Sequence, residues 1–344
     1  MRVAVVNDSK LAAESLRRVI ADSGRHQVAW VAEDGADAVH RCADDVPDLI
    51  LMDLIMPVMD GVAATRQIMA KTPCAIVVVT ASVSGNAGKV FEAMGAGALD
   101  AINTPILGMN GTSGGHEALL HKIDMVGRLI EAPKRISAPH APVHHNPCAV
   151  PGRCPPLIAI GASTGGPAAL KTILEPLPSN LAAAIIIVQH VDEEFARSFA
   201  EWLNEQTALK VRLAQPGDRP QPGQVLIAGR EDHLILTRES TLDYTAKPED
   251  YPYRPSVNVF FETVARHWGG QAVGVLLTGM GKDGGNGLLA LRQAGCHTIA
   301  QDQASSAIYG MPKAAAEIGA AVDILELKAI GPALLKSLRR PITA

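Results

Sequence analysis

No surplus of positive charge marks this chain of 344 residues: Lys and Arg total 31 against 35 Asp and Glu, a formal net charge of -4 at pH 7. Nucleic acid is therefore not an expected partner, because a protein that wraps phosphates needs a basic excess. Long hydrophobic runs are also missing. The longest, Leu181 to Val188 ending at Gln189 and His190, falls far short of the ~20 residues of a membrane-spanning helix, so membrane insertion is not expected. The opening Met1-Arg2-Val3-Ala4-Val5-Val6-Asn7-Asp8 has no charged leader, long apolar region or small-residue cleavage site behind it, and predicts no export. Cysteine is sparse. Cys42, Cys74, Cys148, Cys154 and Cys296 are odd in number, scattered and never in C-x-x-C spacing, so neither a zinc site nor a disulfide framework is suggested, and reduced thiols in the cytoplasm are expected. Aromatics make up only 3%, yet with 47% hydrophobic and 19% charged residues the mix is globular rather than disordered, collagen-like or disulfide-stapled.

At roughly 100–200 residues per domain the length suggests two domains. Composition breaks once, between Glu131 and Pro156, where Pro133, Pro139, Pro142, Pro147, Pro151 and Pro155 interrupt any helix or strand period. This divides the chain into a first domain over 1–125, a Pro-rich linker over 126–155 and a second domain over 156–340. The linker also holds His140, His144, His145, Cys148 and Cys154, but their spacing matches no standard metal site. Gly108 to Gly115 reads as a flexible loop at the end of the first domain.

On both sides of the linker, short β-branched runs alternate with amphipathic stretches, the pattern of a parallel sheet covered by helices, so both domains are α/β. Predicted strands in the first are Val3–Val6, Gln27–Ala32, Leu49–Met52, Ala75–Val79 and Ala98–Ile102. In the second they are Leu157–Ile160, Ala184–Val188, Gln224–Ile227, Leu234–Thr237 and Ala272–Leu277, with helices starting near Pro167, Glu193, Val257, Asn286 and Pro312.

Ligands of open parallel sheets bind at the carboxyl ends of the strands. Asp8, Asp53 and Thr80 each follow or end a predicted strand there, an oxygen set suited to Mg²⁺ with a carboxylate able to attack phosphorus. Strand-end aspartates also simply cap the helices that follow, and spacing alone leaves both readings open. The stretch Asp53-Leu54-Ile55-Met56-Pro57-Val58-Met59-Asp60-Gly61, behind Asn7-Asp8 and ahead of Thr80, resembles the receiver domain of two-component response regulators. The resemblance implies a flavodoxin-like fold with a five-stranded parallel sheet and Asp53 as phosphoacceptor. It also implies Mg²⁺ on Asp8, Asp53 and the backbone carbonyl of Ile55, Thr80 bonded to the phosphoryl oxygens, and a histidine kinase as phosphodonor. Three positions depart from the family: Asn7 replaces a second acid, Thr104 replaces the Lys before Pro105, and Ala101 stands where an aromatic is common. The first change weakens the metal field, and the second removes a cation from the phosphoryl group.

In the second domain the predicted strand at Leu157 runs into Gly161-Ala162-Ser163-Thr164-Gly165-Gly166-Pro167. This fits G-x-S-x-G, a sharp turn that exposes a serine hydroxyl near the N–H groups of a helix start. Such a turn also cradles phosphate, and a partner base must decide. His190 ends the next strand, and Asp283, in the loop Thr278-Gly279-Met280-Gly281-Lys282-Asp283-Gly284-Gly285, is placed to hold its tautomer. The order Ser, His, Asp is not that of the α/β-hydrolases. Together with Val188-Gln189-His190, Arg254-Pro255-Ser256-Val257 and Tyr309-Gly310-Met311-Pro312, these segments resemble the catalytic domain of the CheB chemoreceptor methylesterases, and the receiver in front completes that family's architecture.

The resemblance implies a doubly wound α/β hydrolase that removes methyl esters from glutamates of chemoreceptors and deamidates receptor glutamines, under control of receiver phosphorylation. Ser163 is then the nucleophile, His190 the general base and acid, and Asp283 the orienting carboxylate, with Thr164 and Met280 lining the oxyanion pocket. No metal or other cofactor is expected for ester hydrolysis; Mg²⁺ serves the receiver alone. Val191-Asp192 and Asn258 depart from the family pattern without touching these three residues. Val5-Val6-Asn7-Asp8, Pro73 to Thr80 and Phe91 to Gly95 look closest to the WspF-type subgroup of surface-sensing arrays. The competing readings are a receptor-docking module that acts as a phosphate sink with weak or no esterase activity, and a small-molecule esterase. A DNA-binding regulator would need a helix-turn-helix or basic stripe after the receiver, and neither is present.

Overall fold

Continuous aliphatic runs dictate the architecture. In Leu49–Met52, Ala75–Thr80, Leu157–Ala162 and Ala184–Gln189 every residue is buried, which requires helices over both faces of a sheet and therefore crossover connections between parallel strands. The computed structural model describes residues 1–82, 84–105, 114–131, 154–249 and 251–338. Its chain divides into two units, Met1–Ile136 and Ser137–Ala344. Among the described residues, no helix is long and apolar enough to cross a membrane.

The first unit runs β1 (Arg2–Val6), α1 (Lys10–Asp22), β2 (Gln27–Ala32), α2 (Gly35–Asp44), β3 (Leu49–Met52), α3 (Gly61–Lys71), β4 (Ala75–Thr80), α4 (Ala87–Gly95), β5 (Asp100–Asn103) and α5 (Gly114–Glu131). All its pairings are parallel, in the order β2-β1-β3-β4-β5. The winding reverses between β1 and β3, and such a reversal opens a crevice at the carboxyl ends of those two strands. Caps start the helices: Ser9 accepts from the Ala12 N–H, Asp34 from Ala36 and Asp37, and Asp60 from Ala63. Leu16 and Ile20 of α1 and Leu119 and Ile123 of α5 pack on Val3, Val5, Leu49 and Val77.

Two boundaries in this unit differ from expectation by more than one residue. Strand β5 starts at Asp100 rather than Ala98, because the Ala98 N–H closes α4 by donating to the Ala93 carbonyl at 3.0 Å, around Gly97 at φ 118°. Helix α5 runs to Glu131, so 126–131 are helical rather than linker; the first helix-breaking proline is Pro133. Gly114 and Gly115, expected in a flexible loop, are the first residues of that helix. The rest of that loop from Gly108, and the linker prolines Pro133 to Pro151 with His140, His144, His145 and Cys148, lie outside the described residues.

The second unit runs β6 (Leu157–Ala162), α6 (Gly166–Leu174), β7 (Ala184–Gln189), α7 (Glu193–Glu205), β8 (Lys210–Leu213), β9 (Gln224–Ile227), β10 (His233–Leu236), β11 (Leu242–Thr245) and α8 (Val257–His267). It continues with β12 (Ala272–Leu276), α9 (Gly285–Gln293), β13 (His297–Gln301), α10 (Met311–Glu317), β14 (Asp323–Leu325) and α11 (Leu327–Ser337). Seven strands form one parallel sheet in the order β14-β13-β12-β6-β7-β9-β8. Winding proceeds one way from β6 through β7 and the other way from β12 through β13, so the reversal falls between β12 and β6. The predicted strand Leu234–Thr237 is not in that sheet. It is β10, paired antiparallel with β11, and Thr237 turns the corner by accepting and donating to Thr241.

Phe260 and Phe261 of α8 and Leu288 and Leu291 of α9 join Leu157, Ala159 and Leu276 in one core, with Trp268 against its edge. Truncating Phe260, which is fully buried, leaves a cavity in close-packed surroundings. Phe260→Ala is expected to cost ~3–5 kcal/mol of stability in urea unfolding followed by tryptophan fluorescence.

Candidate functional site

The first unit presents its acids where the winding reverses. Asp8 follows β1 and is exposed, and Asp53 follows β3 and is half-buried. Asp53 Oδ1 accepts the Leu54 N–H at 2.6 Å and the Ile55 N–H at 3.5 Å. Burial pushes the Asp53 carboxyl above its ordinary range; the two backbone N–H groups pull against that rise, and the charge of Asp8 adds to it. Two carboxylates crowded in this way suit a hard cation, and Mg²⁺ takes one or two carboxylates with other oxygens and water. The backbone of Ile55, whose residue is 54% exposed, lies in the same loop. Gly61 is required at its position because its N–H donates to the Leu54 carbonyl at 3.1 Å and a Cβ there would strike the Asp53 carbonyl.

Thr80 ends β4 beside this crevice. It is buried, and its Oγ1 accepts the Asn86 amide at 3.2 Å. Thr104 lies alongside, its N–H donating to the Thr80 carbonyl at 2.8 Å. Asn7 is buried with its Oδ1 accepting the Ser9 N–H at 2.9 Å, so it supports the turn into α1 and adds no charge. The buried Lys122 does not stand in for the family's cation. It pairs at 2.5 Å with Asp100, the first residue of β5, at the sheet end opposite the crevice. Ala101 is wholly buried in β5.

In the second unit three adjacent strands, β12, β6 and β7, deliver the candidate residues from their carboxyl ends. Ser163 follows β6, and the Ser163 N–H donates to the Thr278 carbonyl at 3.1 Å, across the reversal between β6 and β12. Gly165 at φ 77° makes the turn into α6, with Pro167 in its first turn. A Cβ on Gly279 would fall 2.7 Å from that of Ser163, so the two loops meet only because that residue is glycine. Thr164 is buried, its carbonyl accepting the Thr278 hydroxyl at 2.9 Å, and Met280 is half-buried one residue beyond Gly279. Among the described residues no acceptor meets the N–H of Thr164 or of Met280, which leaves both as donors.

His190 follows β7, its N–H donating to the Ala162 carbonyl at 3.1 Å. Its Nε2 bonds Asp283 Oδ2 at 2.8 Å. That bond assigns the proton to Nε2 and leaves Nδ1, buried and without a hydrogen-bond partner, as the basic nitrogen. No hydrogen bond joins Ser163 Oγ to His190 among the described residues; catalytic contacts of this kind commonly tighten only when substrate binds.

Asp283 is 5% exposed and saturated with donors. Besides His190 it accepts the Ser256 hydroxyl at 2.9 Å, the Val257 N–H at 2.7 Å and the Asn258 N–H at 3.0 Å, so Asn258, expected to lie clear of the three candidate residues, in fact touches Asp283 through its backbone. These three form the start of α8, whose positive end favours the carboxylate. Burial alone would raise the Asp283 carboxyl, but the bond and charge of His190, followed by the Asn258 and Val257 N–H groups, outweigh it and hold the group below its ordinary value.

Sequence reasoning placed all three of Ser163, His190 and Asp283 at one sheet edge but gave Ser256, Asn258, Gln189 and Thr278 no role. Ser256 also caps α8 by accepting the Val259 N–H, and a serine before a helix start is a readable signal. Gln189 ties the two strand ends together, its amide donating to the carbonyls of Ser163 at 2.9 Å and His190 at 3.1 Å. Among the described residues no three His, Cys, Asp or Glu side chains gather as a metal cluster.

Fold and site together define a two-part α/β protein: a receiver-type sheet with an acidic crevice, then a doubly wound sheet with serine, histidine and aspartate on neighbouring strand ends. The receiver assignment agrees with a match to the response regulator receiver domain over residues 3–108. Residues 158–334 match the CheB methylesterase domain, and the chain belongs to the CheB methylesterase family. A protein of Burkholderia lata named "Protein-glutamate methylesterase/protein-glutamine glutaminase 2" is 55% identical over 343 residues, covering 99% of each chain. One of Pseudomonas savastanoi pv. phaseolicola, with the same name and the number 3, is 56% identical over 98% of this chain and 99% of its own. The catalytic domain of Thermotoga maritima CheB methylesterase superposes with a TM-score of 0.50 at 33% identity, covering 54% of this chain and 99% of that domain.

Two outcomes follow from the electrostatics and the caps. The folded-state carboxyl of Asp53 is raised, so its ionisation costs stability at every pH above the unfolded value and costs nothing where both states are protonated. Asp53→Asn is therefore expected to raise the thermal midpoint at pH 7 in Mg²⁺-free buffer, with the gain shrinking as pH falls through the carboxylate range in a calorimetric series. Ser256→Ala removes a helix cap and one Asp283 donor at once and is expected to cost ~1–2 kcal/mol in chemical denaturation.

Proposed function

We propose that this chain hydrolyses γ-methyl esters of glutamate on chemoreceptors, in the cytoplasm, with the receiver unit setting the rate through phosphorylation. The observation that carries the catalytic reading is the His190–Asp283 bond, with its carboxylate locked by three further donors beside the Ser163 turn. A phosphate cradle or a docking surface has no use for a buried, oriented imidazole with a free basic nitrogen. The printed names of the relatives support both the esterase and the glutaminase chemistry.

In this mechanism Ser163 Oγ attacks the ester carbonyl carbon as His190 Nδ1 takes its proton. The Thr164 and Met280 N–H groups receive the negative charge that develops on the carbonyl oxygen. The imidazolium, held by Asp283, gives the proton to the departing methoxide, releasing methanol and leaving an acyl-serine. Water then attacks this ester with His190 again as base, and the products are a glutamate carboxylate and free Ser163. With a glutamine side chain the same steps release ammonia. In these hydrolytic steps each proton transfer and bond change is carried by Ser163, His190 and water.

In the receiver, the Asp53 carboxylate accepts a phosphoryl group from a histidine kinase, and the Thr80 hydroxyl hydrogen-bonds its oxygens. Asp8, Asp53 and the Ile55 carbonyl are the groups that would hold Mg²⁺, which would supply the positive charge that phosphoryl transfer needs. The receiver runs through the end of α5 at Glu131, and the catalytic unit spans 156–340. Val5 to Asp8, Pro73 to Thr80 and Phe91 to Gly95 support the narrower assignment to a WspF-type, surface-sensing array.

Methanol release from methylated receptor membranes tests the reading. The wild-type chain is expected to release methanol, Ser163→Ala to lose at least ~10³-fold, and a small phosphodonor with Mg²⁺ to stimulate the wild type but not Asp53→Asn. Absence of Ser163-dependent release from a cognate receptor would leave the docking module as the function.

A further inference from the structure

The imidazole of His190 is restrained on its edge by Asp283, but one hydrogen bond leaves a ring free to rock about the bond axis. A second group removes that freedom. The ring of Tyr253 lies flat against the imidazole, with centroids 4.5 Å apart and planes within 3° of parallel. Tyr253 precedes the Ser256 cap of α8 by three residues, so the helix start that holds Asp283 also carries the residue that covers His190. Its hydroxyl takes no part in holding it there. Among the described residues Tyr253 Oη, which is buried, has no hydrogen-bond partner; it is pressed over Gly281, where a Cβ would fall 2.7 Å from it. Burial first, and the charge of Asp283 second, push the phenol up to about 12, so the ring stays neutral wherever a histidine base works.

We infer that Tyr253 is a positioning residue for the hydrolysis: its ring face fixes the plane of the His190 imidazole and favours the imidazolium formed as Ser163 loses its proton, while its hydroxyl is dispensable. An aromatic face attracts a cation, and taking the Ser163 proton places a positive charge on the imidazole as the reaction proceeds, so the stack acts on kcat rather than on substrate binding. The inference rests on the esterase reading of this site.

The test compares Tyr253→Phe and Tyr253→Leu with the wild-type chain and Ser163→Ala in methanol release from methylated receptor membranes. Phenylalanine keeps the face and drops an unpaired buried hydroxyl, so kcat is expected within twofold of wild type and the melting temperature no lower. Leucine fills the space without a π face and is expected to lower kcat ~10–100-fold with KM within twofold. Tyr253→Met replaces it if the leucine variant fails to fold by circular dichroism. Wild-type kcat in the leucine or methionine variant overturns the inference, as does a phenylalanine variant as impaired as leucine, or a loss that appears in KM alone. If the wild type itself shows no Ser163-dependent turnover, the esterase reading fails instead, so the two failures are distinguishable.

Discussion

A carboxylate with almost no access to water survives in the second unit because four donors converge on it. Unpaired, the Asp283 charge would cost several kcal/mol to bury. The imidazole of His190 supplies one donor, and the Ser256 hydroxyl with the Val257 and Asn258 N–H groups supplies the others. This fixes more than a side chain. The amino end of α8 has to approach the loop after β12, and it does so through glycines: a Cβ on Gly284 would fall 2.8 Å from Val257 Cγ1, and one on Gly161 would strike the same side chain. The same helix buries Phe260 and Phe261 in the core, so hydrophobic packing holds the helix start that stabilises the charge. Catalytic geometry and core packing are one constraint here.

The departures from the family pattern lose much of their weight once their contacts are known. Asn258 replaces an acid, yet its work is to accept the Gly287 N–H at 2.8 Å through Oδ1 while its own N–H serves Asp283, and a carboxamide oxygen does this as well as a carboxylate. Thr104 meets Thr80 through its backbone, so that contact is indifferent to the side chain, but the cation lost with the lysine is not replaced by it. Asn7 is different. Its oxygen is committed to the Ser9 N–H, which leaves Asp8 and Asp53 as the carboxylates of the crevice, and the field on a bound cation is correspondingly weaker.

Chain-local signals made most of the site readable. Strands covered on both faces announce themselves as aliphatic runs, and the residue that ends such a run sits at the ligand-binding edge, which placed Asp8, Asp53, Thr80, Ser163 and His190. Glycine-rich loops after β6 and β12 marked where backbones approach closely. Elements with weak local patterns stayed hidden. The edge strand β8 buries only one of its four residues, β14 spans three residues, and β13 begins and ends in polar side chains. Tyr253 and Gln189 act through contacts 63 residues apart and across strand ends respectively, and nothing in their neighbours' spacing encodes a tertiary contact. The β10–β11 hairpin was misplaced because a short apolar run reads alike in a parallel sheet and in a hairpin.

Both units carry their candidate residues at a reversal of strand order, yet the two crevices differ in burial, and that difference bears on which chemistry each can host. In the receiver Asp8 is exposed and Asp53 half-buried, surroundings that would suit a cation retaining several of its waters. Around Ser163 the neighbours are more deeply buried: Thr164 is 3% exposed, Thr278 1% and Asp283 5%, while Ser163 and Met280 themselves are half-buried. Dipoles fixed in such surroundings act at full strength on a developing oxyanion and need no reorganisation when it forms. A single crevice could not be both. A hydrated metal site would screen the oxyanion donors, and a dry pocket would strip the metal of its waters. Two sheets with separate reversals allow phosphorylation and ester hydrolysis to be carried by one chain, each in the dielectric it requires.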